Sequence, residues 1–431
     1  MTFVVTLMEA GAADVAGSGG DDVVGVGVGV VGGKGASLGE LARAGVAVPP
    51  GFVVTVDAFA AAMAAIDASG AHRATVEALD AGDLAGIAAA AARLRALVTE
   101  APLPDEVAAA ISSGYVALGS DGVAGVAADV DVAVRSSATV EDSAEASFAG
   151  LQDTYLGVTG AASVLGYVRR CWASLYNDES VAYRRRLGLP EAGVAMAVVV
   201  QRMVAPRAAG VMFTRSPVTG DRSVVAIEGT WGLGSALVSG DVTPDSWVIS
   251  KITGEITSRR VSPKAKVHIP IQNGPLTPPA PSPAAVEGQD ASAAGAESGP
   301  EAGGPTAEGP SELGWVTVRD TPAELRDAPC LTDDEIRALA AVARRVEAHY
   351  GAPQDIEWAV LDAPFAAQGS PAAGAADASA SAAPSSASAE SRVVLLQSRP
   401  ETVWAAREVA PAGAPKARAA DHVLALFGKP L

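Results

Sequence analysis

The chain has 431 residues, room for two or three domains of ordinary size. Hydrophobic residues make up 49% of it but aromatics only 4%, and much of the apolar share is alanine, which favours helix and buries little area per residue. The net charge of −18 argues against nonspecific binding to nucleic acid or anionic lipid, while leaving room for a local basic pocket that takes a polyphosphate.

The N-terminus lacks the basic region and apolar core of a signal peptide and carries Glu9 and Asp14 instead. No run approaches the ~20 apolar residues of a membrane-spanning helix. Cys171 and Cys330 are far apart, which fits neither a disulfide framework nor a metal spacing, so a reducing cytoplasm is expected.

A valine–glycine lead-in ends in Gly32-Gly33-Lys34-Gly35 and reads as a strand running into a helix over 36–44, with Gly45 beyond its end. Gly27, Gly29 and Gly32 fit G-x-G-x-x-G. A dinucleotide fold also needs a carboxylate about 20 residues on for the ribose, and Glu40 is too close while Asp57 follows a separate run. The P-loop pattern fails as well, because position 28 is valine and Lys34 is followed by Gly35. What survives is a turn of small residues that lets backbone approach a phosphate, with Lys34 as a point charge. Taken alone, a flexible turn with a solvated lysine explains it better.

"VPPGF" makes a rigid turn, and residues 55–118 read as helices with capping residues and helical periodicity. "VAVRSSATVEDS" is a short strand entering a polar loop. Arg135 ends that strand, followed by Ser136, Ser137 and Thr139; an arginine fork beside hydroxyls and free N–H groups suits a polyphosphate. An ordinary strand-to-helix turn with a surface ion pair is the competing reading. The β-branched runs 193–204 and 208–217 flank a short basic loop, which predicts a hairpin with Gln201 and Met203 near its end, where backbone groups would face an adenine edge. Core packing explains the apolar part equally well. "EGTWGLG" at 228–234 is a second glycine-rich loop.

Residues 355–361 and 393–403 read as two strands of an antiparallel hairpin. Gln397 and Arg399 are two apart and share a face, and pairing puts Glu357 there too. A carboxylate, an amide oxygen and a guanidinium on an otherwise apolar face are costly without partners. Mg²⁺ and phosphate are such partners, and a Glu357–Arg399 salt bridge is the competing explanation. Two Pro/Ala/Gly/Ser-rich tracts, 274–313 and 363–391, lack the apolar content to order themselves and are expected to be disordered insertions.

These stretches, in this order, resemble the ATP-binding region of phosphoenolpyruvate synthase and pyruvate phosphate dikinase, a region shared with rifampin phosphotransferase and with the ATP-binding subunit of phenylphosphate synthase. The matching strings are "GGKGASLGELARAGVAVPPGF", "AVRSSATVEDSAEASFAGLQDTY", "VQRMVAPRAAGVMFTRSP", "WGLG", "DIEW" and "LLQSRP". The resemblance implies an α+β, ATP-grasp-like fold whose two lobes clamp ATP and Mg²⁺. The expected division is an N-terminal extension at 1–24, a first lobe at 25–192, a second lobe at 193–405 and a tail at 406–431. Lys34, Arg135 and Arg399 match the family's phosphate-binding, catalytic cations. Glu357 and Gln397 match its Mg²⁺-coordinating pair. Residues around Gln201 to Met203 match the adenine-side strand, and the resemblance extends to Thr139 and Gly150 on the nucleotide loop.

Family members cleave ATP to AMP, passing the β-phosphate to a histidine on a swivelling domain that carries it to an acceptor site. Here the four histidines, His72, His268, His349 and His422, all lack the Thr-Ser/Cys-His-Ala-Ala context of that histidine. The chain is therefore expected to act as an ATP-binding subunit or fragment whose phosphohistidine and acceptor domains lie on a separate protein, with a small-molecule acceptor reached through that partner and no nucleic-acid or membrane partner. The alternatives are a phenylphosphate synthase-like or rifampin phosphotransferase-like system, an ATP-sensing regulatory module without chemistry, and a self-contained small-molecule kinase.

Overall fold

The computed structural model describes residues 1–11, 26–120, 129–138, 142–143, 146–147, 153–271, 316–365, 389–401 and 404. The chain opens with β1 (Val4–Thr6), α1 (Val28–Arg43) and β2 (Gly51–Val54), then four helices, α2 (Val56–Ile66), α3 (Ala71–Glu77), α4 (Leu84–Glu100) and α5 (Asp105–Gly119). Next come β3 (Val132–Ala138), the short pair β4 (Asp142–Ser143) and β5 (Ala146–Ser147), β6 (Thr154–Val158), α6 (Ala161–Ser174), α7 (Asp178–Leu187) and β7 (Met196–Arg202). The remainder comprises β8 (Ala208–Phe213), β9 (Val224–Trp231), α8 (Ser235–Val238), β10 (Asp245–Ser250), β11 (Ile256–Arg260), β12 (Lys266–Pro270), β13 (Val316–Asp320), α9 (Ala323–Arg326), α10 (Asp333–Tyr350), β14 (Gln354–Val360) and β15 (Val393–Pro400). The result is an α+β protein in which the expected helices at 55–118 appear as α2 to α5. Among the described residues no helix is long and apolar enough to cross a membrane.

Two antiparallel sheets organise the molecule, one ordered β1-β2-β7-β3-β6 and the other β11-β10-β9-β8-β14-β15. Period-two alternation gives each sheet two chemically distinct faces. On the first sheet, Phe52, Val134, Val198 and Val200 pack against Leu94, Ile111 and Trp172 of the helical layer. Its other face buries Val53 and Val199 against Val31 and Leu38 of α1. The second sheet packs Ile227, Trp247, Ile356 and Trp358 against Ile336, Leu339, Val342 and Val346 of α10. That helix starts with a full capping box between Thr332 and Glu335.

Several expectations fail for tertiary reasons. The lead-in to Lys34 is a helical turn rather than a strand, and α1 runs from Val28 with a break at Gly32, where φ is 69° and ψ 171°. Only glycine takes that conformation readily, and a Cβ there would collide with the Ser137 carbonyl. Ser137 Oγ closes the break, donating to Val31 O at 2.9 Å and accepting from Gly35 N–H at 3.1 Å. The expected hairpin of 193–204 with 208–217 does not form. β7 lies between β2 and β3 while β8 lies between β9 and β14, so the chain changes sheets between Arg202 and Ala208 rather than at 192/193. Alternation identifies a strand but not its partner.

Residues 4–6, expected within an N-terminal extension, form the edge strand beside β2. The 274–313 tract and the tail from 406 lie outside the described residues. So does most of 363–391, but its ends are bound into the fold: Phe365 N–H donates to Ser391 O at 2.7 Å and Ala389 is buried.

Candidate functional site

β14 and β15 pair antiparallel, setting Glu357 opposite Gln397 and Asp355 opposite Arg399, with a bulge at Glu357/Trp358. The four polar residues therefore share one face, turned away from α10 and toward Arg135 of the first sheet. The sequence-based pairing is correct, but the ion pair differs: Arg399 Nε lies 3.8 Å from Asp355 Oδ2. Burial pushes the Asp355 carboxyl up to about 6 against a pull downward from Arg399, and Glu401 raises it further. Its Oδ1 is buried without a hydrogen-bond partner among the described residues.

Arg135 reaches this face from the other sheet. It sits within β3, opposite Val199 of β7 and Thr154 of β6. Its guanidinium crosses to the second sheet, where Nη1 donates to Leu396 O at 2.8 Å and Nη2 to Gln397 Oε1 at 2.5 Å and Glu357 Oε2 at 3.2 Å. Its Nε is buried with no hydrogen-bond partner among the described residues. A cation thus already rests on the two oxygens that the sequence marks as metal ligands.

Lys34 is held between the two sheets by its neighbours. Gly35 N–H is bound to Ser137 of β3, and Ser37 Oγ donates to Ser398 O of β15 at 2.7 Å. Ser37 Oγ also lies 3.2 Å from Tyr350 Oη at the end of α10. Lys34 therefore occupies the first turn after the Gly32 break, in a segment clamped by both β3 and β15. Anions favour such a position, where backbone N–H groups and the helix dipole add to the lysine charge.

The adenine-side residues are placed differently from one another. Gln201 is buried and its Nε2 donates to Pro49 O at 3.1 Å, so that amide holds the turn before β2. Met203 N–H donates to Asp131 O at 2.8 Å. The connector just beyond borders a cavity of about 590 Å³ lined by Pro50, Met203, Ala205, Leu361, Asp362 and Phe365, at the crossing from one sheet to the other. Thr139 and Gly150 lie outside the described residues.

No three His, Cys, Asp or Glu side chains form a ready-made metal cage among the described residues. Glu357 and Gln397 offer two facing oxygen donors, a set that suits Mg²⁺ provided phosphate and water complete its shell. Arg135 on those same oxygens shows that the pair accepts a positive charge there. Sequence reasoning passed over two carboxylates on this face. Asp355 was detectable, being two residues before Glu357 on a predicted strand. Glu228 was masked by the glycines that drew attention to "EGTWGLG".

The class is that of an ATP-binding domain, and the contact of Arg135 from one sheet with Glu357 and Gln397 on the other is compatible with it. The family model of the pyruvate phosphate dikinase AMP/ATP-binding domain matches residues 28–289 and 305–419, and the chain belongs to that family. It is similar to a rifampicin phosphotransferase from a Streptomyces species, with 43% identity over 347 residues, 80% of this chain and 34% of the relative. It is also similar to a probable phosphoenolpyruvate synthase from Methanothermobacter thermautotrophicus, with 39% identity over 339 residues, 78% of this chain and 42% of the relative. A third relative, a probable phosphoenolpyruvate synthase from Staphylothermus marinus, is 37% identical over 389 residues, 90% of this chain and 41% of the relative. The chain spans 34–42% of the length of these three.

Proposed function

We propose that this chain is the ATP-binding part of a phosphoenolpyruvate synthase-like phosphotransferase, cleaving ATP to AMP and phosphate and phosphorylating a histidine on a separate domain or polypeptide. The observation that carries this reading is the direct contact of Arg135 with Glu357 and Gln397, which joins the phosphate-binding and metal-binding halves of one cleft. An ATP-grasp-like closure follows from it. The base lies along the Met203–Ala205 connector, and the phosphates lie between Lys34 and Arg135 on one side and the β14–β15 face on the other.

Glu357 and Gln397 would hold Mg²⁺, which when bound supplies charge neutralisation and orientation for phosphoryl transfer. To receive it, Arg135 must leave those two oxygens, and its released guanidinium then has phosphate as its natural partner. Lys34 and Arg399 bracket the same space and add fixed positive charge where the transferred group becomes more anionic. The half-exposed Arg399 is free to reorient, since its ion pair with Asp355 is long.

The described histidines support a receiver elsewhere. His268 is buried with Nδ1 2.9 Å from Ser235 Oγ, while His72 and His349 sit exposed on α3 and at the end of α10. The final acceptor is pyruvate in this reading. An alcohol, phenol or antibiotic acceptor is the second reading, favoured by the likeness to rifampicin phosphotransferase. The test uses ATP labelled with ³²P at the β position. The pure chain is expected to bind Mg·ATP yet form almost no AMP until a histidine-bearing swivelling domain is added, which then becomes labelled. Rapid stoichiometric AMP formation by the pure chain would contradict the proposal.

A further inference from the structure

β12 carries a buried imidazole whose side-chain partners lie on another element. His268 sits opposite Val318 in the β12–β13 ribbon, with 1% of its surface exposed. A buried polar ring is costly without partners. Both nitrogens find theirs on the segment after β9: Nδ1 lies 2.9 Å from Ser235 Oγ, and Nε2 lies 3.0 Å from Asp241 Oδ2, off the line of a full hydrogen bond. Ser239 Oγ donates to the same Asp241 oxygen at 2.6 Å and holds that carboxyl below the usual carboxylate range. With Asp241 ionised, Nε2 carries the ring hydrogen and Nδ1 accepts from the Ser235 hydroxyl, because the two nitrogens of a neutral imidazole take opposite roles.

The same residue holds the start of that segment through its main chain. Leu233 N–H donates to His268 O at 2.8 Å. Gly232 takes φ 70°, and a Cβ there would lie 2.3 Å from that carbonyl oxygen. Residue 268 therefore grips the segment at Leu233 by backbone and at Ser235 and Asp241 by side chain. What the segment carries lies at the sheet crossing. Gly232 N–H donates to Arg207 O on the connector at 2.8 Å. Leu233 and Val316 form a small buried cluster, with Leu156 of β6 and Met203 packed against it. The segment has little packing of its own to fix it, since α8 has only four residues and 238–241 are exposed.

We infer that His268 is a positioning residue for the base end of the nucleotide: by clamping Ser235 and Asp241 it keeps Leu233 in the cluster beside Met203. This rests on the nucleotide reading of the cleft, in which the base lies along the connector that Met203 begins. His268 acts through Leu233 and does not touch the ligand. A base gains most from apolar neighbours whose places are fixed before it arrives, because ordering them on binding would cost affinity. The groups assigned to the triphosphate, Lys34, Arg135 and Arg399, lie on α1, β3 and β15, none of them on the clamped segment. The clamp therefore contributes to affinity through the base and not through the phosphates.

The test compares a nucleotide with a ligand that lacks the base. Mg·β,γ-imido-ATP and Mg·tripolyphosphate are titrated by calorimetry into the unaltered full chain, Ser235→Ala and Asp241→Asn, and the unfolding temperature of each protein is measured. Both substitutions change the segment and leave the buried imidazole in place, so unfolding should shift by no more than a few degrees. Imido-ATP affinity is expected to fall about 5- to 10-fold in each variant, while tripolyphosphate affinity stays within about twofold. Equal losses for the two ligands, an unchanged imido-ATP affinity in either variant, or a large fall in unfolding temperature overturns the positioning role while leaving the nucleotide reading standing. Failure of the unaltered chain to bind imido-ATP at all removes that reading and the role of His268 with it.

Discussion

Two buried arginines carry opposite designs. Arg184 of α7 donates from Nε and Nη2 to Glu191 at 2.8–3.2 Å and from Nη1 to Leu175 O at 2.8 Å. Both side chains are enclosed, at 3% and 0% exposure, and Arg185 adds a further contact to the same carboxylate. Arg135 makes a similar number of bonds, but its Nε is unpaired among the described residues and its carboxylate partner Glu357 is 42% exposed. The first arrangement is closed: every charge has a partner that water cannot replace. The second is open on one side, so its partners can be exchanged. What separates a structural ion pair from a site is therefore the partner's access to solvent, more than the number of bonds.

The largest expected effect tests that contrast through stability. Arg184→Ala leaves a fully buried carboxylate with only the longer Arg185 contact and should cost about 3–5 kcal/mol. Arg135→Ala leaves Glu357 able to reach water and should cost about 1 kcal/mol or less, as for other solvent-accessible pairs. Urea unfolding of the two variants checks this, and equal losses would erase the distinction.

The order reverses for nucleotide handling. Charge-assisted hydrogen bonds contribute about 1.5–3 kcal/mol each, so Arg135→Ala, Lys34→Ala and Arg399→Ala should each weaken Mg·ATP binding or phosphate transfer by roughly 10- to 100-fold. Arg184→Ala, assayed where it remains folded, should change either by less than about twofold. Partner phosphorylation at the unaltered rate in all three cleft variants would remove them from the site.

A smaller effect concerns pH. The Asp355 carboxyl is raised to about 6 in the folded chain by burial, against 3.8 ordinarily. The folded state therefore holds the proton more tightly than the unfolded one, and stability falls as pH rises from about 4 to about 6. The penalty is absent below that window and complete above it. Asp355→Asn should remove this slope, leaving the variant more stable than the parent by on the order of 1–2 kcal/mol at pH 7–8 and equal to it near pH 4. Unfolding midpoints across pH 4–8 decide it, and parallel curves for the two proteins would contradict the assignment.

What could be read from sequence divides along the range of the interaction. The Glu357, Gln397 and Arg399 face was legible because the strand period alone puts residues two apart on one side, and the intervening tract lets β14 and β15 pair antiparallel. The helices at 55–118 were legible through capping and periodicity. The Gly32 break was not, because it exists to fit Ser137, more than 100 residues away. The separation of β7 from β8 was equally hidden, since both strands have the same apolar texture and only tertiary packing assigns them to different sheets. The contact of Arg135 with Glu357 links residues of two sheets and has no local signature. Resemblance to a family supplied the set of residues, and the fold supplied their juxtaposition.

The central claim is that Arg135 on one lobe and Glu357 with Gln397 on the other enclose a single metal–nucleotide complex. Calorimetric titration of β,γ-imido-ATP into the unaltered chain, Arg135→Ala and Gln397→Ala, each with and without Mg²⁺, tests it most directly. The account predicts one Mg²⁺-dependent nucleotide per chain, with affinity lowered at least 10-fold by either substitution and almost no binding once Mg²⁺ is withheld. Tight binding that ignores both substitutions and the metal would contradict it.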